Sequence, residues 1–317
     1  MEREELIEMS RSFQISKILV VANEFDLFTV LSGRQMTASR LSDELKADAS
    51  KIELLLNALV ALGLLEKHED SYKNSQVAED FLVIGREGYI GNMLKRTNSH
   101  WDAWNGLEIA IFDRRPELNW SEIPTFSMEE NSYKKAAELA ENVDLTGKRR
   151  LLDVGGGSGA YSAAFVGTYP GLEAAVFDLP EPIKAAKRLL EEKGMGDRVK
   201  TIEGDFEVDD LGSGFDCILI SNIMHFQDEK DNKRLLKKAH NALQEGGTII
   251  IHGPILDEGK TSPKNAAIFS IHMLLKSDGG RTYAWSEIEA WLEEAGFVEP
   301  RRTELTESRV IVAVAKK

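Results

Sequence analysis

Apolar residues recur at helical spacing from Phe13 to Leu31, through Ile15, Ile18, Leu19, Ala22, Phe25 and Phe28, which predicts an amphipathic helix. Thr37 is the predicted N-cap of a second helix over Ala38–Leu45. Ser50, with Glu53 three residues on, predicts a capping box for a third, leucine-rich helix through Leu54, Leu55, Leu56, Leu59 and Leu62, which Gly63 stops. Leu64–Lys67 and Tyr72–Asn74, around the polar turn His68–Ser71, read as a two-stranded wing. Helix, turn, helix and wing predict a winged-helix domain over residues 1–95.

Residues 96–145 read as a helical connector, with Trp101, Trp104, Leu107 and Ile111 on one stripe and Arg115-Pro116 ending it. The grammar then changes. From residue 146 to 317, short apolar runs alternate with helical periods. The predicted strands are Arg150–Val154, Ala174–Asp178, Val199–Glu203, Phe215–Ile220, Thr248–Ile251, Val298–Glu304 and Arg309–Ala315. Predicted helices occupy Gly159–Thr168, Pro182–Lys193, Lys230–Leu243 and Ser286–Ala295. That alternation specifies an α/β sheet with helices on both faces.

The chemistry sits at the strand ends. Leu151-Leu152-Asp153-Val154 runs into Gly155-Gly156-Gly157-Ser158-Gly159, where glycine permits a tight turn and close approach to a ligand. Asp178 ends the next strand, 19 residues after Gly159, where a carboxylate can accept ribose hydroxyls. Asp205-Phe206 follows the third, placed to bind and pack a purine ring. The missing Gly-Lys-Ser/Thr argues against a P-loop, and a nicotinamide dinucleotide is the rival ligand.

Leu-Asp-Val-Gly-Gly-Gly-Ser-Gly resembles the first motif of class I S-adenosylmethionine-dependent methyltransferases. Nearly the whole chain resembles their small-molecule O-methyltransferase branch, which includes the caffeate and hydroxyindole enzymes. Phe177-Asp178-Leu179-Pro180, Gly204-Asp205-Phe206, Ser221-Asn222-Ile223-Met224-His225, and Met273-Leu274-Leu275 leading to Gly279-Gly280-Arg281-Thr282 carry that resemblance. It implies a Rossmann-like seven-stranded sheet behind an N-terminal winged-helix dimerisation domain, and hence a homodimer. It implies S-adenosylmethionine on Asp153, Gly155, Gly156, Gly157 and Gly159, with Asp178, Leu179, Asp205, Phe206 and Ser221 completing the site. His225 takes the general-base position. A slot of Trp101, Trp104, Phe126, Met224, His272 and Met273 would hold a small, flat acceptor.

A phenol, with a pKa of about 10, is almost wholly protonated at neutral pH, so a histidine near about 6.5 is a suitable base. On that reading the rate rises with pH through the histidine pKa. Three departures from the family pattern surround His225. Gln227 replaces an aromatic residue, glycine takes the place of a carboxylate in Ile251-His252-Gly253-Pro254, and Gly280-Arg281-Thr282 lacks a second acid. Asp228 and Asp257 are the candidate substitutes. The weak acid pairing leaves carbon methylation, or a metal shared by His225, His252 and His272, as alternatives; a non-catalytic cofactor-binding regulator is a third. The expectation is no resident metal.

The overall charge is −14, and residues 1–95 hold 11 Lys and Arg against 16 Asp and Glu. The would-be recognition helix offers leucines instead of groove-reading polar groups, so neither nucleic acid nor an anionic membrane is an expected partner. The single Cys217, an acidic N-terminus and no apolar run near about 18 residues fit a cytoplasmic protein.

Overall fold

A computed structural model describes residues 1–112 and 129–317. Contacts divide them into two compact units, residues 1–107 and residues 108–112 with 129–317. Predicted features at Arg115-Pro116 and Phe126 lie outside the described residues.

In the first unit, the predicted helix over Phe13–Leu31 is instead two helices, α1 (Arg3–Glu24) and α2 (Leu27–Leu31). Asp26, left-handed at φ 49°, breaks them, and a hydrophobic period cannot reveal such a one-residue interruption. β1 (Met36–Thr37) leads to α3 (Ala38–Leu45), capped by Thr37 as expected. α4 (Ala49–Ala61) is capped by Asp48, not Ser50. The Asp48 carboxylate accepts from the Ser50 and Lys51 amides at 3.0 and 3.1 Å, so the earlier of two competent caps starts the helix. β2 (Leu65–His68) and β3 (Ser71–Asn74) form the wing, and β1 adds a third strand in the order β1-β3-β2. α5 (Gln76–Phe81) and α6 (Gly91–Ser99) complete the domain, with Asn23 Nδ2 donating to the Gly91 carbonyl to pin α6 on α1. The tryptophan stripe is split between α7 (Trp101–Asn105) and α8 (Leu107–Ile111).

The second unit has α9 (Glu129–Asn142), then β4 (Arg150–Val154), α10 (Ala160–Thr168), β5 (Glu173–Asp178), α11 (Pro180–Glu192) and β6 (Val199–Glu203). β7 (Phe215–Ser221), α12 (Glu229–Ala242) and β8 (Leu243–Gly253) follow. α13 (Lys264–Lys276), α14 (Trp285–Ala295), β9 (Phe297–Glu304) and β10 (Arg309–Ala315) close it. The sheet order is β6-β5-β4-β7-β8-β10-β9; β4 to β8 run parallel and β10 is antiparallel to both neighbours.

Both faces are covered, which is why β7 is buried almost throughout. Leu152, Ile218 and Ile249 pack with Leu235 of α12 and Trp291 of α14. Leu151, Leu219 and Ile250 pack with Leu139 of α9, Phe165 of α10 and Ile183 of α11 on the other face. Cys217 is fully buried there, as a small apolar residue would be. β4 is first in the chain but central in the sheet, so crossovers run both ways from it. The crevice above its C-terminal end is where such sheets bind ligands. Among the described residues no helix is long and apolar enough to cross a membrane.

Candidate functional site

The glycine loop leaves β4 in that crevice. Gly155 adopts φ +66°, and a Cβ there would lie 2.3 Å from Ile223 Cδ1. A Cβ on Gly156 would lie 2.7 Å from the Asp153 carboxyl carbon. Only glycine lets this loop lie so close to its neighbours. Asp153 is fully buried beneath the loop, and its Oδ2 accepts from the Ser162 hydroxyl at 2.8 Å. Burial pushes its pKa up to about 7. Its placement is that of a residue supporting the loop rather than facing a ligand.

Asp178 joins the loop to the next strand end. Its Oδ2 accepts from the Gly157 amide at 2.8 Å and its Oδ1 from the Leu179 amide at 2.7 Å. Burial raises its pKa, against those two hydrogen bonds. Asp205 Oδ1 accepts from the Glu207 amide at 2.8 Å, and Phe206 packs against the core. Lys238, which the sequence reading missed, donates to the Phe206 and Asp209 carbonyls at 2.9 and 2.8 Å and holds this loop.

These residues fit an adenosyl donor. The Phe206 ring comes within 3.6 Å of the point where a Gly155 Cβ would stand, so both border the same crevice. Each carboxylate oxygen of Asp178 keeps a second lone pair for a ligand hydroxyl. Buried Asp153 Oδ1 has no hydrogen-bond partner among the described residues.

The reacting end lies at β7 and β8. Ser221 Oγ is 2.8 Å from His252 Nδ1, and His252 Nε2 is 2.8 Å from Ser308 Oγ. Asn222 turns the chain at φ 57°. His225 then sits in a 3-10 turn, Met224–Phe226, and is 7 % exposed. Its ring lies 4.9 Å from that of Phe269, edge-on. Burial, with Lys276 and His272 opposing its charge, pushes its pKa down to about 3.

No carboxylate hydrogen-bonds the His225 ring among the described residues. Asp228 instead caps α12 through the Asp231 amide, and Asp257 binds the Thr261 and Ser262 amides. Neither candidate substitute therefore serves. The turn itself is held through its backbone. Buried Asn232 donates to the Met224 and Gln227 carbonyls at 2.9 and 3.2 Å, and Tyr283 donates to the Gln227 carbonyl at 2.6 Å. Behind His225, Gly253, Thr282 and Tyr283 border a cavity of about 20 Å³, room for one water.

Met224, His272 and Met273 are buried in the same unit. Trp101 and Trp104 belong to the first, where the Lys17 ammonium lies 4.6 Å from the Trp101 ring centroid. The alternative of a metal shared by His225, His252 and His272 finds no support, since no group of three His, Cys, Asp or Glu is placed to hold an ion among the described residues. His252 spends both ring nitrogens on serines. The sequence reading also missed Asn232, Phe269 and Tyr283. A polar Asn232 on the buried face of α12 was the one available signal.

Residues 110–298 match the model of the O-methyltransferase domain, and residues 7–83 that of the O-methyltransferase dimerisation domain. The 3-hydroxy-5-methyl-1-naphthoate 3-O-methyltransferase of Streptomyces sahachiroi is 33% identical, over 93% of this chain and 90% of that one. Acetylserotonin O-methyltransferase of Bos taurus is 28% identical, over 94% of each. In structure, human N-acetylserotonin methyltransferase in complex with SAM aligns with a TM-score of 0.87 at 22% identity, covering 100% of this chain and 99% of that one. The chain therefore belongs to the S-adenosylmethionine-dependent O-methyltransferase family, with the family's dimerisation domain at its N-terminus.

Proposed function

We propose that the chain methylates a hydroxyl of a small aromatic metabolite and that His225 removes the hydroxyl proton. The observation that carries this reading is a buried imidazole on the turn after β7, one strand from the glycine loop of β4. The acceptors in the names of the relatives, a hydroxynaphthoate and acetylserotonin, support the aromatic class.

When bound, the donor supplies a methyl group on a sulfonium, whose positive charge vanishes on transfer. His225 thus gains its proton while the total charge of the pocket stays constant. That offsets the cost of charging a buried ring next to Lys276. Asp178 orients the ribose, Asp205 and Phe206 hold the adenine, and Asp153 acts through the loop. Leu179 and Ser221 border the donor, and Met224, His272 and Met273 shape the acceptor side. Positioning of the two reactants contributes alongside the base.

The protein acts as a homodimer through its first unit. Leu6, Met9 and Phe13, at spacings i, i+3 and i+7, leave an apolar face on α1 about half exposed, which supports a two-fold pairing. Light scattering should give about twice the 35.4 kDa chain mass, and a monomer at tens of micromolar refutes this part. A cytoplasmic location belongs to the same reading, supported by the lone, buried cysteine.

The direct test compares turnover of 2-naphthol by wild type and His225→Ala. A loss of about 10²–10⁴ is expected. A variant with near wild-type rate refutes the base.

A further inference from the structure

The second unit contains a cavity of about 480 Å³ that neither the glycine loop nor the His225 turn lines. Its lining includes Asn222, next to Ser221, and Phe269, whose ring meets that of His225. It also includes Lys135 of α9 and the turn from Glu304 to Arg309 between β9 and β10. The volume falls within the range of about 300–1,000 Å³ usual for small-molecule pockets. It exceeds the needs of a single-ring phenol and suits a fused-ring acceptor.

The lining mixes two chemistries. Pro254, Ile255, Phe269 and Leu305 contribute apolar surface against which a flat ring can pack. The rest of the lining is polar, yet its charges are matched. Lys135 Nζ stands 3.0 Å from Glu307 Oε2, and Arg309 Nη2 stands 2.7 Å from Glu304 Oε1. His252, 3 % exposed and bonded to Ser221 and Ser308, adds no charge. Among the described residues the lining thus offers hydrogen-bonding groups, such as Asn265 and Ser308, and no unpaired cation. A carboxylate brought here would lose its water without gaining a counter-charge, an unfavourable exchange. An uncharged hydroxyl or amide loses far less and finds partners.

We propose that this cavity receives the far end of the methyl acceptor and selects uncharged fused-ring aromatics over those bearing a carboxylate. The proposal rests on the methyl-transfer reading above and adds its specificity. Asn265, Lys135 and the Glu304–Arg309 turn are then specificity-determining residues.

The test reads binding by naphthol fluorescence, with the demethylated donor S-adenosylhomocysteine present. The probes are 2-naphthol and 3-hydroxy-2-naphthoate. Wild type should bind 2-naphthol at least tenfold more tightly. Glu307→Gln, which frees the Lys135 ammonium, should shrink that preference at least fivefold. Asn265→Trp, at an exposed position in the first turn of α13, should fill the cavity and weaken 2-naphthol at least tenfold. Equal or tighter binding of the naphthoate by wild type overturns the proposal, and so does an unchanged naphthol affinity in Asn265→Trp. If His225 is not the base, the failure appears instead as undiminished turnover in His225→Ala, while these binding ratios stand.

Discussion

The donor side and the reacting side of the second unit are built on opposite plans. At the ends of β4, β5 and β6, carboxylates hold the loops. Asp153 takes Ser162, Asp178 takes the Gly157 and Leu179 amides, and Asp205 takes the Glu207 amide. At the ends of β7 and β8, amide and hydroxyl donors clamp carbonyls, and the His225 imidazole meets aromatic rings. One side is rich in carboxyl groups. On the other, no carboxylate hydrogen-bonds the His225 ring among the described residues. The difference is electrostatic, so each side should respond in its own way when charge is altered.

The largest expected effect is on the donor side. The Asp153 carboxyl, raised by burial to about 7, keeps its proton in the folded state where the unfolded chain has lost it. Its contribution to stability is therefore fully present below about pH 4, falls as pH rises, and is lost once pH passes about 7. Asp153→Asn has no such dependence. Relative to wild type, its unfolding free energy should rise from pH 4 to pH 8 by at most about 4 kcal/mol, the equivalent of roughly three pKa units. Urea unfolding at the two pH values measures this, and a pH-independent difference between the proteins refutes it.

Next comes Asp178→Ala, which removes the acceptor for the Gly157 and Leu179 amides and the proposed ribose ligand. Donor affinity should fall by about 1.5–3 kcal/mol, the scale of charge-assisted hydrogen bonds. Calorimetry with S-adenosylmethionine would show it, and an undiminished affinity would mean the carboxylate only shapes the loop.

On the reacting side, Asn232→Asp keeps the side-chain shape but replaces the amide donor with an oxygen facing the Met224 and Gln227 carbonyls. The His225 turn should loosen. Turnover should fall about tenfold, or roughly 1.4 kcal/mol, while the dissociation constant of the donor stays within about twofold. Equal losses in turnover and donor binding would instead indicate general unfolding.

The same contrast governs what could be read from the sequence. The donor side is local. Each carboxylate lies beside a glycine or at the end of an apolar run, and the boundaries of β4, β6 and β10 coincide with the predicted ones. The reacting side is assembled from distant positions. Phe269, Asn232 and Tyr283 reach His225 or its turn from three separate elements, and no spacing along the chain marks that convergence. α13 was not predicted either, since its mixed apolar residues show no clear stripe. α1 begins at Arg3, ten residues before the predicted start, because its first ten residues are mostly charged or polar, with only Leu6, Ile7 and Met9 apolar.

The smallest effect expected is a rate that hardly changes, and it separates the mechanisms most sharply. The sequence alone predicts a rise with pH through about 6.5, the ordinary histidine value. Burial, Lys276 and His272 instead push the His225 pKa down to about 3, so the ring is already neutral at pH 5. If this neutral ring accepts the proton, the protonated phenol is the substrate. The rate on 2-naphthol should then vary by less than about twofold between pH 5.5 and pH 8. If no base operates, only phenolate reacts, and the rate should climb about tenfold per pH unit toward the phenol pKa of about 10. If water or a bound acceptor restores an ordinary histidine, the rise should level off near pH 7. A profile of kcat/KM at saturating donor distinguishes the three slopes. Only the flat one agrees with a buried imidazole that no carboxylate among the described residues hydrogen-bonds.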